Sequence, residues 1–166
     1  MEVVFGNEKI VLAGNAIELG QTAPNFTVMN NDLQMVSLDQ FEEDFLVISV
    51  VPSIDTGVCD YQTKTFNQNL ARFKKVKVLT ISNDLPFAQK RWCGASGLKN
   101  VVTLSDYLNL DFAKQYGTLI PTLRLQARAV FILDQERKVI FKEIVKNVSD
   151  HPSYEEVESV LSELTK

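Results

Sequence analysis

The order of apolar and polar residues along the chain predicts short strands alternating with helices. Two runs rich in valine and isoleucine, FLVISVVP and KVKVLTIS, occupy residues 45–52 and 75–82. Between these runs, apolar or small residues recur at steps of three and four, which predicts a helix over 59–73. These residues are Cys59, Thr63, Phe66, Leu70 and Phe73. The order is typical of a βαβ unit whose two parallel strands are covered on both faces.

Three further pairs of apolar runs, each joined by a polar turn, predict hairpins. They are EVVFG with KIVLAG near the amino terminus, the segment APNFTVMNNDLQMVSL, and ARAVFILDQERKVIFKEIV at 127–145. NVVTLSD reads as a strand, while LPFAQKRWCGASG and LDFAKQYG read as helices closed by glycine. The spacing of apolar residues predicts a last helix from about Tyr154, with Ser153 and Glu156 as a capping box. The predicted fold class is α/β, with a mixed central sheet and flanking helices.

Composition limits the kinds of function that this chain supports. With 166 residues, 45% of them hydrophobic, we expect one domain over 1–166. A net charge of -4 argues against nucleic acid as a partner. No segment reads as a signal peptide or a membrane span, so we expect no membrane association and a cytoplasmic location. Two cysteines are too few for a disulfide scaffold, and in a reducing compartment they indicate redox chemistry.

Cys59 lies at the start of the helix that is predicted to follow the first strand of the βαβ unit. Thr56, three residues earlier, is placed to cap that helix, and the unpaired amides of a helix start favour a thiolate. Asp55 and Asp60 oppose this effect, and Lys64 is the only cation nearby in the sequence. A half-sheltered nucleophilic Cys59 therefore requires a cation from elsewhere in the fold.

Each candidate residue also has an ordinary structural interpretation. Cys59 and Cys93 are compatible with simple packing, since free cysteine is often buried and inert. Pro52 fits a turn that ends a strand, and Thr56 fits a cap alone. Arg128 lies in an alternating, strand-like run, where an isolated arginine usually faces solvent.

Taken together, three stretches resemble the thiol peroxidase subfamily of peroxiredoxins, of the atypical two-cysteine type. The spacing Pro52-x-x-x-Thr56-x-x-Cys59 is similar to the peroxiredoxin active-site motif. DLPFAQKRWCG, at 84–94, is similar to the segment with the subfamily's second cysteine, and ARAVFILD is similar to the strand with its arginine. The resemblance spans essentially the whole chain, including the amino-terminal hairpin.

The resemblance implies a thioredoxin-like fold and assigns a role to each residue. Cys59 corresponds to the peroxidatic cysteine and Cys93 to the resolving cysteine. Thr56 and Pro52 correspond to the pocket, and Arg128 supplies the missing cation. The implied activity is antioxidant reduction of hydrogen peroxide and organic hydroperoxides through a cysteine sulfenic acid. An intramolecular disulfide between the two cysteines would then be recycled by thioredoxin, in a homodimer with no metal, haem or flavin.

Other classes of protein are weaker matches to the sequence. A cysteine hydrolase needs a histidine base, and the single histidine, His151, reads as an exposed loop residue. A disulfide exchanger normally shows C-x-x-C, and a metal site needs more ligands than this chain pairs. A redox-sensing protein is a further alternative, because sensing and peroxidase chemistry start from the same cysteine thiolate. Pro121 departs from the family pattern, and the resemblance assigns no role to Arg124.

Overall fold

The computed structural model describes residues 1–166, and a seven-stranded mixed sheet is its largest element. In chain order the elements are β1 (Glu2–Phe5), β2 (Glu8–Val11), β3 (Thr27–Met29), β4 (Met35–Ser37), a 3-10 turn (Leu38–Gln40), β5 (Phe45–Val50), α1 (Gly57–Asn69), β6 (Val76–Ser82), α2 (Pro86–Ser96), β7 (Val102–Ser105), α3 (Asp111–Tyr116), β8 (Leu119–Ile120), β9 (Leu125–Gln126), β10 (Ala129–Leu133), β11 (Val139–Ile144) and α4 (Tyr154–Leu164). The sheet order is β11-β10-β5-β6-β7-β3-β4, in which β5, β6 and β7 are parallel. No helix has both the length and the apolar character needed to cross a membrane.

The inner strand β5 is buried along its whole length because helices cover both faces of the sheet. Val47 belongs to a core cluster that includes residues of α1 and α4, such as Phe66 and Leu161. Ile48 points to the opposite face and belongs to a second cluster, which includes Phe112 of α3. The alternation of neighbouring side chains between two apolar layers explains the continuous Val/Ile run, and the βαβ prediction is confirmed.

All three predicted hairpins are present, as β1 with β2, β3 with β4, and β10 with β11. A fourth hairpin, β8 with β9, was not predicted, because its strands have two residues each. Pro121 begins its exposed turn, so the unexpected proline lies where no strand hydrogen bond is needed. Arg124 ends the turn with a φ of 53°, and its carbonyl accepts a hydrogen bond from Asn83 Nδ2 at 2.6 Å.

Two details of the predicted helices are wrong. α1 ends at Asn69, so Phe73 lies beyond the helix, although its side chain still packs on the same core cluster. α4 begins after Ser153, but the Ser153 hydroxyl donates to Glu143 Oε2 at 2.8 Å instead of capping the helix. The predicted capping box is therefore absent, because Ser153 is hydrogen-bonded to the carboxylate of Glu143 on β11.

The sheet topology brings residue 128 next to the start of α1. β10 runs antiparallel to β5 with Ala129 opposite Val50, so the residue before β10 lies beside the end of β5. Arg128 is two residues before Val130 and therefore points to the same face, the one that α1 covers. An arginine at this register position is directed toward the first turn of the helix.

Asp106, which follows β7, is a buried carboxyl group that holds the start of α3. Its two oxygens accept backbone N–H groups of Phe112 and Ala113, each at 2.9 Å, and Oδ2 also accepts Gln126 Nε2 at 2.9 Å. Burial raises the pKa of Asp106 from 3.8 to about 6, and these hydrogen bonds only partly oppose the rise.

The raised pKa of Asp106 predicts a contribution of this residue to stability that grows as the protein is acidified through this range. Between about pH 4 and about pH 6 the folded state binds a proton that the unfolded state does not hold, so the free energy of unfolding falls as pH rises. The full difference is on the order of 3 kcal/mol. Urea denaturation at several pH values should show this slope, and Asp106→Asn should flatten it. The matched change at an exposed carboxylate, Asp39→Asn, should leave the slope in place.

Candidate active site

The loop between β5 and α1 places Cys59 in the first turn of the helix. Thr56 is the N-cap, and its Oγ1 accepts the backbone N–H of Cys59 at 3.3 Å, as predicted. Thr63 lies one turn later and donates its hydroxyl to the carbonyl of Cys59 at 2.8 Å. Cys59 has an exposed fraction of 0%, so it is more deeply buried than the half-sheltered position predicted for it.

Arg128 reaches the Cys59 sulfur from the position just before β10. Its Nη1 lies 3.5 Å from Cys59 Sγ and 3.0 Å from Gln62 Oε1, while its Nε donates to the carbonyl of Val148 at 2.9 Å. Only 2% of Arg128 is exposed, so its interpretation as a solvated strand residue is wrong. Fixed hydrogen bonds hold the guanidinium in one orientation beside the sulfur.

The charge of Arg128 is buried without a carboxylate partner. None of the salt bridges in the structure includes it. An uncompensated buried cation is unfavourable, and a thiolate on Cys59 is the anion that its geometry can accept. Lys64 cannot supply this charge, because it pairs with Asp60 at 3.1 Å. The cation that the local sequence lacked is therefore Arg128, the residue just before β10, whose Nη1 donates to Cys59 Sγ.

Gln62 is a member of the site that sequence reasoning missed. It is fully buried, accepts from Arg128 and donates through Nε2 to Ser49 Oγ of β5 at 2.8 Å. Its side chain thus fixes the guanidinium against both the helix and the sheet. The available signal was its position three residues after Cys59 on the packed face of α1, where a glutamine requires polar partners.

A cavity of about 280 Å³ opens in front of Arg128 and the first turn of α1. Its lining residues are Phe5, Gly6, Pro52, Thr56, Gly57, Val58, Arg128, Val148 and Ser149. Pro52 and Thr56 therefore both line this cavity, together with Arg128. The β1–β2 turn and the segment after β11 also contribute to the lining of this cavity. The sequence pattern does not indicate that either segment lies near Cys59.

Asp84 anchors the loop that carries Pro52 and Thr56. Its carboxylate accepts the Ser53 hydroxyl and the backbone N–H of Ile54, both at 2.7 Å, and the Ser82 hydroxyl at 2.6 Å. Because Asp84 lies two residues before α2, this contact joins the loop to the helix that carries the second cysteine. Its role was not evident from the sequence, where it resembles an ordinary loop aspartate.

His151 and Tyr154 lie at the start of α4, close to the site. His151 is exposed, as predicted, and its Nδ1 is 2.8 Å from the Tyr154 hydroxyl. Burial raises the pKa of Tyr154 to about 12, although the positive charge of Arg128 opposes the rise. His151 makes no hydrogen bond to either cysteine, which leaves a cysteine hydrolase without its base.

Cys93 lies in the second half of α2 and is half-buried. Both cysteines are free thiols, and the Cys93 sulfur contacts Asn31 and Thr103 instead of the residues around Cys59. The indole of Trp92 donates to Asp60 Oδ1 at 2.8 Å, which ties α2 to the first turns of α1. The structure therefore brings Cys59, Thr56, Pro52 and Arg128 together and gives Cys93 its own surroundings.

The chain is similar to several known proteins in sequence and in fold. A family model described as Redoxin matches residues 18–158. The thiol peroxidase of Staphylococcus haemolyticus is 53% identical over 154 residues, which cover 93% of each chain. The thiol peroxidase of Oceanobacillus iheyensis is 49% identical over 164 residues, or 99% of this chain and 98% of its own. A peroxiredoxin-like protein of Aquifex aeolicus, solved as a crystal structure, has a TM-score of 0.90 at 38% identity, covering 98% of this chain and 96% of its own.

Proposed function

Since the chain belongs to the redoxin family and is a thiol-dependent peroxidase, we propose that Cys59 is the cysteine that attacks the peroxide. The single observation that carries this assignment is the contact of Arg128 Nη1 with Cys59 Sγ at 3.5 Å, inside a site where that cation has no carboxylate. The thiolate attacks one peroxide oxygen, the O–O bond breaks, and Cys59 becomes a sulfenic acid. The other oxygen leaves as an alkoxide or hydroxide and takes a proton from solvent.

Each pocket residue has a physical task in this step. Negative charge spreads over both oxygens as the O–O bond breaks, and donors directed at that charge lower the barrier. Arg128 is such a donor, and the Thr56 hydroxyl is a second one, because it accepts the Cys59 N–H and keeps its own proton for donation to the peroxide. Pro52 presents no N–H group, so it shields the pocket without competing for the oxygens.

We propose that Cys93 resolves the sulfenic acid within the same chain. Its thiol displaces the sulfenic hydroxyl, so that water leaves and a Cys59–Cys93 disulfide forms. Because the two sulfurs have separate partners in the reduced protein, both segments must rearrange to reach disulfide geometry. A dithiol reductant of the thioredoxin type then reduces the disulfide, in a reducing compartment that we take to be the cytoplasm.

The test of this function is a coupled assay with thioredoxin, thioredoxin reductase and NADPH. Hydrogen peroxide and an organic hydroperoxide are compared side by side, and NADPH oxidation should continue well beyond one turnover per chain. Oxidation that stops after a single equivalent, with no recycling by thioredoxin, would contradict the proposal and leave a redox sensor as the better interpretation.

Trp92 provides a spectroscopic prediction for the disulfide step. Its indole bonds to Asp60, next to Cys59, while its backbone adjoins Cys93, so disulfide formation must disturb its surroundings. One equivalent of peroxide should therefore change the intrinsic fluorescence in two phases, and Cys93→Ser should remove the second phase only.

Non-reducing gels of the oxidised protein should show monomers. A covalent dimer would contradict resolution within one chain.

We also propose that the chain forms a homodimer through the surface beside the active-site loop. Leu85 and Phe87 at the start of α2 are 51% and 66% exposed, and Leu123 in the β8–β9 turn is 48% exposed. The bond between Asn83 and the Arg124 carbonyl supports placing these apolar residues near one another. Sedimentation of the reduced protein should give a dimer, and Phe87→Glu should weaken it. A monomer at micromolar concentration would contradict this proposal.

A further inference from the structure

The Cys93 sulfur lies inside a small hydrogen-bonded group formed by two other elements. Thr103 Oγ1 of β7 is 3.4 Å from Cys93 Sγ, and Asn31 Nδ2 is 3.8 Å from it. Asn31 belongs to the turn between β3 and β4, and its Oδ1 accepts the Thr103 hydroxyl at 2.9 Å. The two side chains thus bond to each other as well as to the sulfur.

The positions of the protons follow from these contacts. A hydroxyl group has one proton to donate, and Thr103 donates it to Asn31 Oδ1. In the contact between Thr103 and Cys93, the donor is therefore the thiol S–H. The Asn31 amide donates to the same sulfur, so the neutral thiol has both an acceptor and a donor. This arrangement matches a protonated Cys93 and does not match a thiolate facing the lone pairs of Thr103.

α2 is held against the same turn by a second contact. Lys90, one helical turn before Cys93, pairs with Asp32 at 3.6 Å. Both side chains are well exposed, so the ion pair alone contributes little. Its position nevertheless agrees with docking of this face of α2 on the β3–β4 turn.

We propose that Asn31 and Thr103 are positioning residues that dock Cys93 as a neutral thiol and thereby set the rate of disulfide formation. The proposal rests on the proposed function, in which Cys93 resolves the sulfenic acid on Cys59. That condensation breaks the Cys93 S–H bond and the Cys59 S–O bond, forms the S–S bond and releases water. The sulfenic sulfur is reduced and the thiol sulfur is oxidised, so no further reagent is needed.

Docking opposes this condensation because Cys93 must leave Asn31 and Thr103 before it can meet Cys59. While Cys93 remains docked, the sulfenic acid is exposed to a second peroxide, which would oxidise it to a sulfinic acid. The strength of the docking contacts therefore sets the balance between a recyclable disulfide and irreversible oxidation. Weaker docking should favour the disulfide.

The chain offers a closely matched control for this proposal. Thr103→Val removes the hydroxyl and keeps the side-chain shape, and Thr103→Ser keeps the hydroxyl. Thr80 pairs with Thr103 across the parallel strands β6 and β7, and its buried hydroxyl has no hydrogen-bond partner. Thr80→Val therefore reproduces the loss of a buried threonine hydroxyl without touching Cys93.

The first measurement is alkylation of Cys93 in a Cys59→Ser background, where no other thiol reacts. Thr103→Val should speed alkylation about twofold to tenfold, the range that one hydrogen bond covers. Thr80→Val and Thr103→Ser should alkylate at the parent rate. Equal rates for Thr103→Val and Thr80→Val would overturn the docking role, whatever the chemistry of Cys59.

The second measurement follows disulfide formation after rapid mixing with one equivalent of hydrogen peroxide. Thr103→Val should form the disulfide about twofold to tenfold faster than the parent protein and give less sulfinic acid in excess peroxide. A slower disulfide would overturn the proposal, since the pair would then activate the thiol. If the unmutated protein formed no disulfide at all, the proposed function would fail, and the alkylation rates would still decide the docking role.

Discussion

Replacing Cys59 with serine is expected to abolish peroxidase turnover while the protein remains folded. Serine occupies nearly the same volume at this fully buried position, and its hydroxyl can still lie beside Arg128. An alcohol does not ionise near neutral pH, so no sulfur nucleophile remains to break the O–O bond. In the thioredoxin-coupled assay the activity should fall to background, while the thermal unfolding temperature should stay within a few degrees of the parent value.

Cys93→Ser is the matched control for this loss. It removes the other cysteine but leaves the peroxide-reacting thiolate with Arg128, so a single equivalent of peroxide should still be consumed per chain. The pair of variants separates the two proposed roles. Sustained turnover in folded Cys59→Ser protein would refute the assignment of the nucleophile.

Replacing Arg128 with alanine is expected to slow peroxide reduction about a hundredfold. The variant loses the cation that favours the thiolate and the donor placed to meet charge on the breaking O–O bond. The rate of Cys59 alkylation should also rise only at higher pH than in the parent, because less thiolate forms at neutral pH. Stopped-flow kinetics with peroxide and alkylation against pH measure the two effects.

Two further arginine variants separate charge from geometry. Arg128→Lys keeps the charge but loses the planar group that bonds Gln62, the Val148 carbonyl and the sulfur at once, so its rate should be intermediate. Arg72→Ala removes an exposed arginine beyond the carboxyl end of α1 and should leave the rate unchanged. An Arg128→Ala protein that is folded and reacts at the parent rate would remove Arg128 from the site.

The fold could be predicted largely from local patterns, and its errors arise where distant residues intervene. The Val/Ile runs of β5 and β6 are buried on both faces, which makes them recognisable without knowing their neighbours. The Ser153 capping box failed because Glu143, on another element, binds that serine more directly. The two-residue strands β8 and β9 are too short to show any alternation.

Some residues of the site could be predicted from local sequence, and others could not. The spacing of Thr56 and Cys59 is local, so the cap and the helix start follow from sequence alone. Arg128 looked like a surface residue on its own pattern, and only the resemblance directed attention to it. Its position depends on β10 pairing with β5 across 69 residues of sequence separation from Cys59. Gln62 and Asp84 act through side-chain hydrogen bonds that no periodicity reveals.

The late position of β10 in the chain also separates the synthesis of the thiol from its activation. Cys59 leaves the ribosome long before Arg128, and translation proceeds at about 5–20 residues per second. Until β10 pairs with β5, a nascent chain carries an ordinary thiol with no guanidinium beside it. We therefore expect the Cys59 sulfur to gain its neighbouring cation only after the sheet around it has closed.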